Sequence, residues 1–142
     1  MEDKPEAPSN LPGLFESPDK IELHYLSDKT IFRELILQIR KDFESSGINL
    51  KLLLNKRYSF NELSTILEDV FLKTGATAMF QLLYRVDVSE QQLQKGMPTP
   101  GIDTKLIAEL VIKRELQKVV LRKFYSNKSD ESNLNKKKGH ID

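Results

Sequence analysis

The chain has 142 residues, a length that fits one domain, and its 22 Lys and Arg residues nearly balance its 21 Asp and Glu residues. Bulk charge therefore points neither to nucleic acid nor to an acidic partner. Cysteine is absent, which excludes disulfides and thiolate zinc sites, and no apolar run approaches the length of a membrane span. The N-terminus lacks the basic start and apolar run of a secretory signal, so a cytoplasmic protein is expected.

The charge is unevenly distributed along the chain. Residues 1–28 contain two lysines and seven acids, a net charge of −5, whereas residues 29–125 contain sixteen bases and eleven acids, a net charge of +5. Residues 126–142 add a charge of +1. An acidic N-terminal arm beside a basic body would either lie on that body or screen it from other polyanions.

The arm itself is rich in proline. Four of the six prolines fall within residues 1–20, and each removes an amide donor and restricts the residue before it. Residues 1–27 are therefore predicted to be an extended acidic arm. Within it, Ile21, Leu23 and Tyr25 alternate with polar residues, which suggests a short extended segment that anchors the arm to the body.

Residues 28–126 are predicted to form a single helical domain, with a first helix at about 29–46. Ser27 or Asp28 can cap this helix, and Gly47 suits the left-handed position that ends one. Its apolar residues recur at helical spacing and form one stripe: Phe32, Leu35, Ile36, Ile39 and Phe43.

The middle of the chain contains one helix-start signal twice. Ser59 precedes Glu62 by three residues and Ser89 precedes Gln92 likewise, with an apolar residue before each serine and a leucine four residues after it. Each pattern is a capping box within a hydrophobic staple, in which both polar side chains bond to backbone amides of the first turn. These four side chains are therefore expected to bond to backbone amides and are not candidates for an active site. Helices are expected at about 60–74 and 90–95.

Two further helices are expected in this region. A short one would follow Asn49 and end before Tyr58, with three leucines on it: Leu50, Leu53 and Leu54. Another, at about 76–87, would begin directly after Gly75. Its apolar residues are expected on one face: Met79, Phe80, Leu83 and Val86.

The last and longest helix is expected at about 104–125, capped by Asp103 after the Pro- and Gly-containing loop 97–101. Its apolar residues span more than half of the circumference, whereas a surface helix needs a sector only a little over 100° wide. They are Leu106, Ala108, Leu110, Ile112, Leu116, Val119, Val120, Leu121 and Phe124. The helix is predicted to be either central in the fold or exposed and paired with a second chain. Residues 127–142 are polar and are predicted to be a disordered tail.

Together these elements predict an all-α fold, a compact bundle of five to six helices with an extended acidic N-terminal arm and a disordered C-terminal tail. No enzymatic activity, cofactor or metal is expected, because the histidines are only His24 and His140 and the glycines form no phosphate loop. The candidate for a polar pocket is the group of Tyr84, Arg85 and Asp87 at the end of the helix expected at 76–87, which we call the polar corner. An Arg–Asp pair there would more often fix a helix corner than perform chemistry.

A basic row lies on the polar sector of the last helix. Arg114, Lys118 and Arg122 are spaced by four residues and would contact phosphates if the row had a function. The alternative is a solvated face in which Glu115 pairs with Lys118. No aromatic residues are interleaved with the row, so the solvated face is favoured.

The sequence favours a protein-interaction or assembly module that acts through apolar helix surface, with a protein partner or a second copy and no membrane. The candidate surface consists of Val120, Leu121, Phe124 and Tyr125. The alternative is a nucleic-acid-binding accessory protein that uses the basic row. An enzyme working at the polar corner is the third and least favoured hypothesis.

Overall fold

The computed structural model describes residues 17–88, 91 and 103–139, with side chains as far as Ser126. Every regular element in this part of the chain is helical, which confirms the predicted all-α bundle. In chain order the elements are α1 (Pro18–Ile21), a π-helical segment (Glu22–Leu26), α2 (Lys29–Ser45), α3 (Phe60–Leu72), α4 (Ala76–Val86) and α5 (Thr104–Gly139). The second capping box, the helix expected at 90–95 and the loop 97–101 lie outside the described residues, apart from Gln91.

The last helix, α5, is the centre of the bundle. It packs against α2, α3 and α4. Its buried apolar residues lie on almost every side of the helix: Ile107, Ala108, Leu110, Val111, Ile112, Leu116, Val119 and Val120. The wide apolar sector is thus covered by the chain's own helices over this stretch, as the central alternative predicted.

The backbone of α5 is longer than the sequence pattern suggested. The helix continues to Gly139, whereas the expected end was near residue 125. No glycine or proline occurs between Thr104 and Lys138, so nothing in the covalent chain forces an earlier stop. The sequence becomes poor in apolar residues after Tyr125, but this change of composition does not coincide with the end of the helix.

The segment before α2 corrects one prediction, because residues 18–26 are helical and not extended. The Ser17 hydroxyl accepts a hydrogen bond from the Lys20 amide, and Pro18 occupies the first helical position, where its missing amide costs nothing. The buried side chains are Ile21, Tyr25 and Leu26, at helical spacing, whereas Leu23 is exposed. The segment does anchor to the body, but through a helical face. Residues 1–16 of the predicted arm lie outside the described residues.

Helix α2 follows the sequence prediction closely. The Asp28 side chain accepts hydrogen bonds from the amides of Thr30 and Ile31 at 2.8 and 3.0 Å. The bond from Ile31 is the main reason that the pKa of Asp28 lies below its usual value. Gly47 takes the left-handed conformation after the helix, with φ of 77°. All five residues of the predicted stripe are buried.

The short helix expected after Asn49 does not form. Residues 48–59 contain no helix; Leu52 is buried there and Leu53 is exposed. The Tyr58 hydroxyl accepts a hydrogen bond from the Leu53 amide at 3.0 Å and so satisfies a donor that a helix would otherwise use. This local bond competes with the weak helical pattern of the leucines.

The first capping box is formed as predicted. The Ser59 hydroxyl accepts a hydrogen bond from the Glu62 amide at 3.1 Å, and the Glu62 carboxylate accepts one from the Ser59 amide at 2.8 Å. The carboxylate of Glu22 accepts a further bond from the Phe60 amide at 2.7 Å. The start of α3 is therefore fixed both locally and by the preceding helical segment.

Replacing Ser59 with alanine is expected to lower the free energy of unfolding by about 1 kcal/mol, because one amide in the first turn of α3 loses its acceptor. Urea denaturation followed by far-UV circular dichroism measures this loss. Ser27→Ala is the matched control, since its hydroxyl donates to the Leu23 carbonyl and accepts no hydrogen bond from an amide at the start of a helix. Equal losses in the two variants would contradict a capping role for Ser59.

Candidate functional site

The predicted basic row on α5 is paired with acids from other helices. Each member contacts a carboxylate: Arg114 lies 3.0 Å from Asp87, Lys118 lies 3.1 Å from Asp42, and Arg122 lies 3.4 Å from Glu34. The expected contact between Lys118 and Glu115 is also present, at 3.1 Å. The row therefore ties α5 to α2 and to the end of α4, and its charge is largely neutralised.

Glu115 is not on the polar sector, where the sequence placed it, but is fully buried. The ammonium nitrogen of Lys118 lies 3.1 Å from the carboxyl oxygens of both Glu115 and Asp42. Two buried carboxyl groups thus share one cation. A second negative charge in this position would be uncompensated, which makes simultaneous ionisation of both acids unfavourable.

The environments of Glu115 and Asp42 shift their pKa values in opposite directions, so that Glu115 is neutral and Asp42 is ionised. Burial, reinforced by hydrogen bonding with Asp42, raises the pKa of Glu115 to about 9. Burial also opposes ionisation of Asp42, but hydrogen bonds with Glu115, Gln38 and Lys118 outweigh it and lower the pKa of Asp42. As an ionised acceptor Glu115 would have no well-formed hydrogen bond to either oxygen. As a protonated acid it can donate to Asp42.

The cluster is extended along the interface between α2 and α5. The Gln38 amide donates to Asp42 at 3.0 Å, and its oxygen accepts a bond from Arg122 at 2.8 Å. Lys118 also donates to the carbonyl of Arg85 at 3.4 Å, which connects α4 to the same network. These contacts link α2, α4 and α5 through one polar network.

The predicted polar corner of Tyr84, Arg85 and Asp87 is not assembled. The Asp87 carboxylate pairs with Arg114, while the Arg85 side chain is exposed and has no ion-pair partner in the described structure. Tyr84 is 88% exposed. Asp87 itself ends α4 in the left-handed conformation, with φ of 71°. The described structure therefore does not bring these three side chains together.

The predicted interaction surface on α5 is only partly accessible. Val120 is buried in the core, which contradicts its assignment to that surface. Leu121 and Phe124 are half-buried, and only Tyr125, at 45%, is exposed. The reason is that α2 covers this part of α5, as the contacts of Arg122 with Glu34 and Gln38 show.

A more accessible apolar surface lies on α4. Phe80 and Tyr84 are 70% and 88% exposed and stand four residues apart, so their side chains are neighbours on one side of the helix. We refer to these two residues as the aromatic face. Leu82, Leu83 and Val86 form the buried side of α4. The sequence prediction placed Phe80 on one face with Leu83 and Val86, and the exposure of Phe80 shows that this placement is wrong. The spacing of Phe80 and Tyr84 was the available signal for a separate face.

Two adjoining clefts flank the turn after α2, and both are lined by Gly47, Ile48 and Asn49. Their volumes are about 420 and 440 Å³. Within the described residues no group of three His, Asp or Glu side chains is placed to hold a metal ion. No helix in this part of the chain has the length and apolar character needed to span a bilayer.

Comparison with known proteins returned no match: no family model fits the chain, and neither curated proteins nor solved structures show significant similarity to it. Function is therefore inferred from the residues of this chain alone.

Proposed function

We propose that this protein is an assembly module that associates with a second copy of itself through the aromatic face of α4. The observation that supports this is the exposure of Phe80 and Tyr84, two large side chains side by side on an ordered helix. Aromatic residues are enriched in protein interfaces because they bury much area while losing little conformational entropy.

A second copy is the simplest occupant of this surface. In a two-fold symmetric contact the same face serves both partners, so one pair of aromatic side chains creates a four-residue apolar centre. Only one charged side chain, Arg85, stands next to the aromatic face on the exposed side of α4. Like charges therefore oppose such a contact very little.

The basic row on α5 supports nucleic-acid binding poorly. Phosphate binding requires unpaired cations, which replace the counterions condensed on the nucleic acid, whereas all three members of the row lie against carboxylates of this chain. Self-association through apolar groups remains the function that the geometry supports best.

The proposal is tested by light scattering coupled to size-exclusion chromatography. The wild type is expected to show a concentration-dependent dimer that persists at high salt, because apolar contacts are not screened. The double substitution Phe80→Ser and Tyr84→Ser is expected to give a monomer. Leu53→Ser is the matched control, since Leu53 is also exposed but isolated on a loop, and it is expected to leave the dimer intact.

A wild type that remains monomeric up to about 1 mM, where an association worth about 4 kcal/mol is half complete, would overturn this function. A dimer that survives the double substitution at α4 would place the contact elsewhere and would also overturn it.

A further inference from the structure

The outward side of α2 carries four basic side chains that no acid of the described structure neutralises. Lys29, Arg33, Arg40 and Lys41 are exposed, and none of them makes an ion pair or a side-chain hydrogen bond within the described residues. This contrasts with α5, on which Arg114, Lys118 and Arg122 all have carboxylate partners. We call the four residues of α2 the basic face.

The helical geometry aligns these charges. Lys29, Arg33 and Arg40 are four and seven residues apart, so they lie in one row about 16 Å long. Lys41 stands beside the end of this row. Among the residues of α2, the fully exposed acid on this side is Glu44, one turn further on, while Glu34 lies at the edge of the side and pairs with Arg122. The side therefore presents a concentrated positive charge in a chain whose net charge is only +1.

The basic face is not purely polar. Leu37, which is 36% exposed, lies between Arg33 and Arg40 on the same side of the helix. A nucleic acid backbone would leave this leucine uncovered, and no aromatic side chain on the exposed side of α2 could stack on a base. A protein segment that combines carboxylates with an apolar side chain matches both kinds of group.

We propose that the basic face of α2 binds an acidic amphipathic helix of a partner protein, with carboxylates opposite the row and an apolar residue over Leu37. Acids four and seven residues apart on such a helix would reproduce the spacing of Lys29, Arg33 and Arg40. The cleft of about 440 Å³ that Arg40 and Glu44 line with the turn at Gly47 offers space for a further side chain of the partner. This second surface is independent of the aromatic face.

The test uses the full chain and a fluorescein-labelled helical peptide of about 18 residues, with glutamates spaced by four and seven and one leucine between them. Fluorescence anisotropy is expected to show binding that weakens as salt is added. The double substitution Arg33→Glu and Arg40→Glu is expected to weaken binding about tenfold or more, and Leu37→Ser by several-fold. The variant Phe80→Ser is expected to bind the peptide like the wild type.

The matched control is the double substitution Lys51→Glu and Lys56→Glu. It changes the net charge by the same amount at two exposed cations of the loop before α3. Equal loss of binding in both double variants would show a response to bulk charge and would overturn the proposal.

Three further outcomes would also overturn it. No binding at about 1 mM peptide would show that the basic face is only solvated. Tighter binding of single-stranded oligothymidylate, lost on Arg33→Glu and Arg40→Glu, would assign the face to nucleic acid. Peptide binding that occurs only after the acids within residues 1–16 are changed to amides would show that this chain's own acidic segment occupies the face.

Discussion

The substitution Glu115→Gln is expected to remove most of the pH dependence of stability between about pH 5 and pH 9. In the wild type the free energy of unfolding is expected to fall as the pH rises through this range. The folded protein keeps the proton on Glu115, whose pKa is raised from 4.5 to about 9, while the unfolded chain releases it. The slope is at most about 1.4 kcal/mol per pH unit, because one proton is released on unfolding.

The direction of this effect follows from which state binds the proton. A raised carboxyl pKa means that the folded state binds the proton more tightly, so the stabilisation is complete below pH 4.5 and is lost toward pH 9. Asp42 acts in the opposite sense, because its pKa is lowered. Its contribution to the free energy of unfolding is lost as the pH falls below 3.8, the usual pKa of an aspartate. The two acids together predict a stability maximum near pH 4 to 5.

Glutamine is the informative replacement because it has the shape of a protonated glutamate and cannot ionise. Its amide can still donate to Asp42. Urea denaturation at each pH unit from 5 to 9, followed by circular dichroism, measures the slope for both proteins. At pH 8 the variant is expected to be the more stable of the two, because the wild type has by then lost part of its stability to proton release.

The matched control is Glu109→Gln, which removes an acid from the same helix outside the cluster of Asp42, Glu115 and Lys118. This variant is expected to keep the wild-type slope. Parallel curves of unfolding free energy against pH for the wild type and Glu115→Gln would show that Glu115 is ionised in the folded protein. This result would contradict the assignment of one proton to the pair of Glu115 and Asp42.

The elements that the sequence predicted correctly depend on residues close together in the chain. The apolar stripe of α2 has helical spacing and occupies only one side of the helix. The sequence therefore predicts that this side is buried, whichever elements cover it. The capping box at Ser59 and Glu62 is closed within one turn, and no distant group is needed to form it. The same holds for Asp28 and Gly47 at the two ends of α2.

The burial of Glu115 depends on contacts that no local pattern contains. On α5 this residue stands at the edge of an apolar sector that already covers more than half of the helix. Whether the edge faces solvent is decided by Asp42 and Gln38 of α2, more than seventy positions away. A charged residue there is normally assigned to the surface, since burying an unpaired charge is costly. The shared proton is what removes that cost.

The sequence did not indicate the proposed contact surfaces, for a related reason. The cations of α5 and those of α2 both recur at helical spacing in the sequence, and only the fold shows which of the two rows has carboxylate partners. Arg122 meets Glu34 of α2 across 88 positions, whereas Arg33 and Arg40 meet no acid within the residues that the structure describes. The basic character of α2 was visible in the sequence, but its unpaired state was not.

Substitution of two phenylalanines distinguishes a core position, Phe43, from a position on the proposed contact surface, Phe80. Phe43 is fully buried and its ring stacks on that of Phe71, with centroids 5.7 Å apart, at the junction of α2 and α3. Phe43→Ala is expected to lower the free energy of unfolding by about 3–5 kcal/mol, because it removes buried apolar area and leaves a cavity between packed helices.

Phe80→Ala makes the same chemical change on the exposed side of α4 and is expected to alter the stability of the monomer by no more than about 0.5 kcal/mol. Urea denaturation at a protein concentration below the onset of association compares the two variants directly. If the Phe80 ring adds nothing to the stability of the monomer, its apolar area remains available for a contact with another chain. Equal destabilisation by the two substitutions would assign Phe80 to the core and remove the aromatic face as a contact surface.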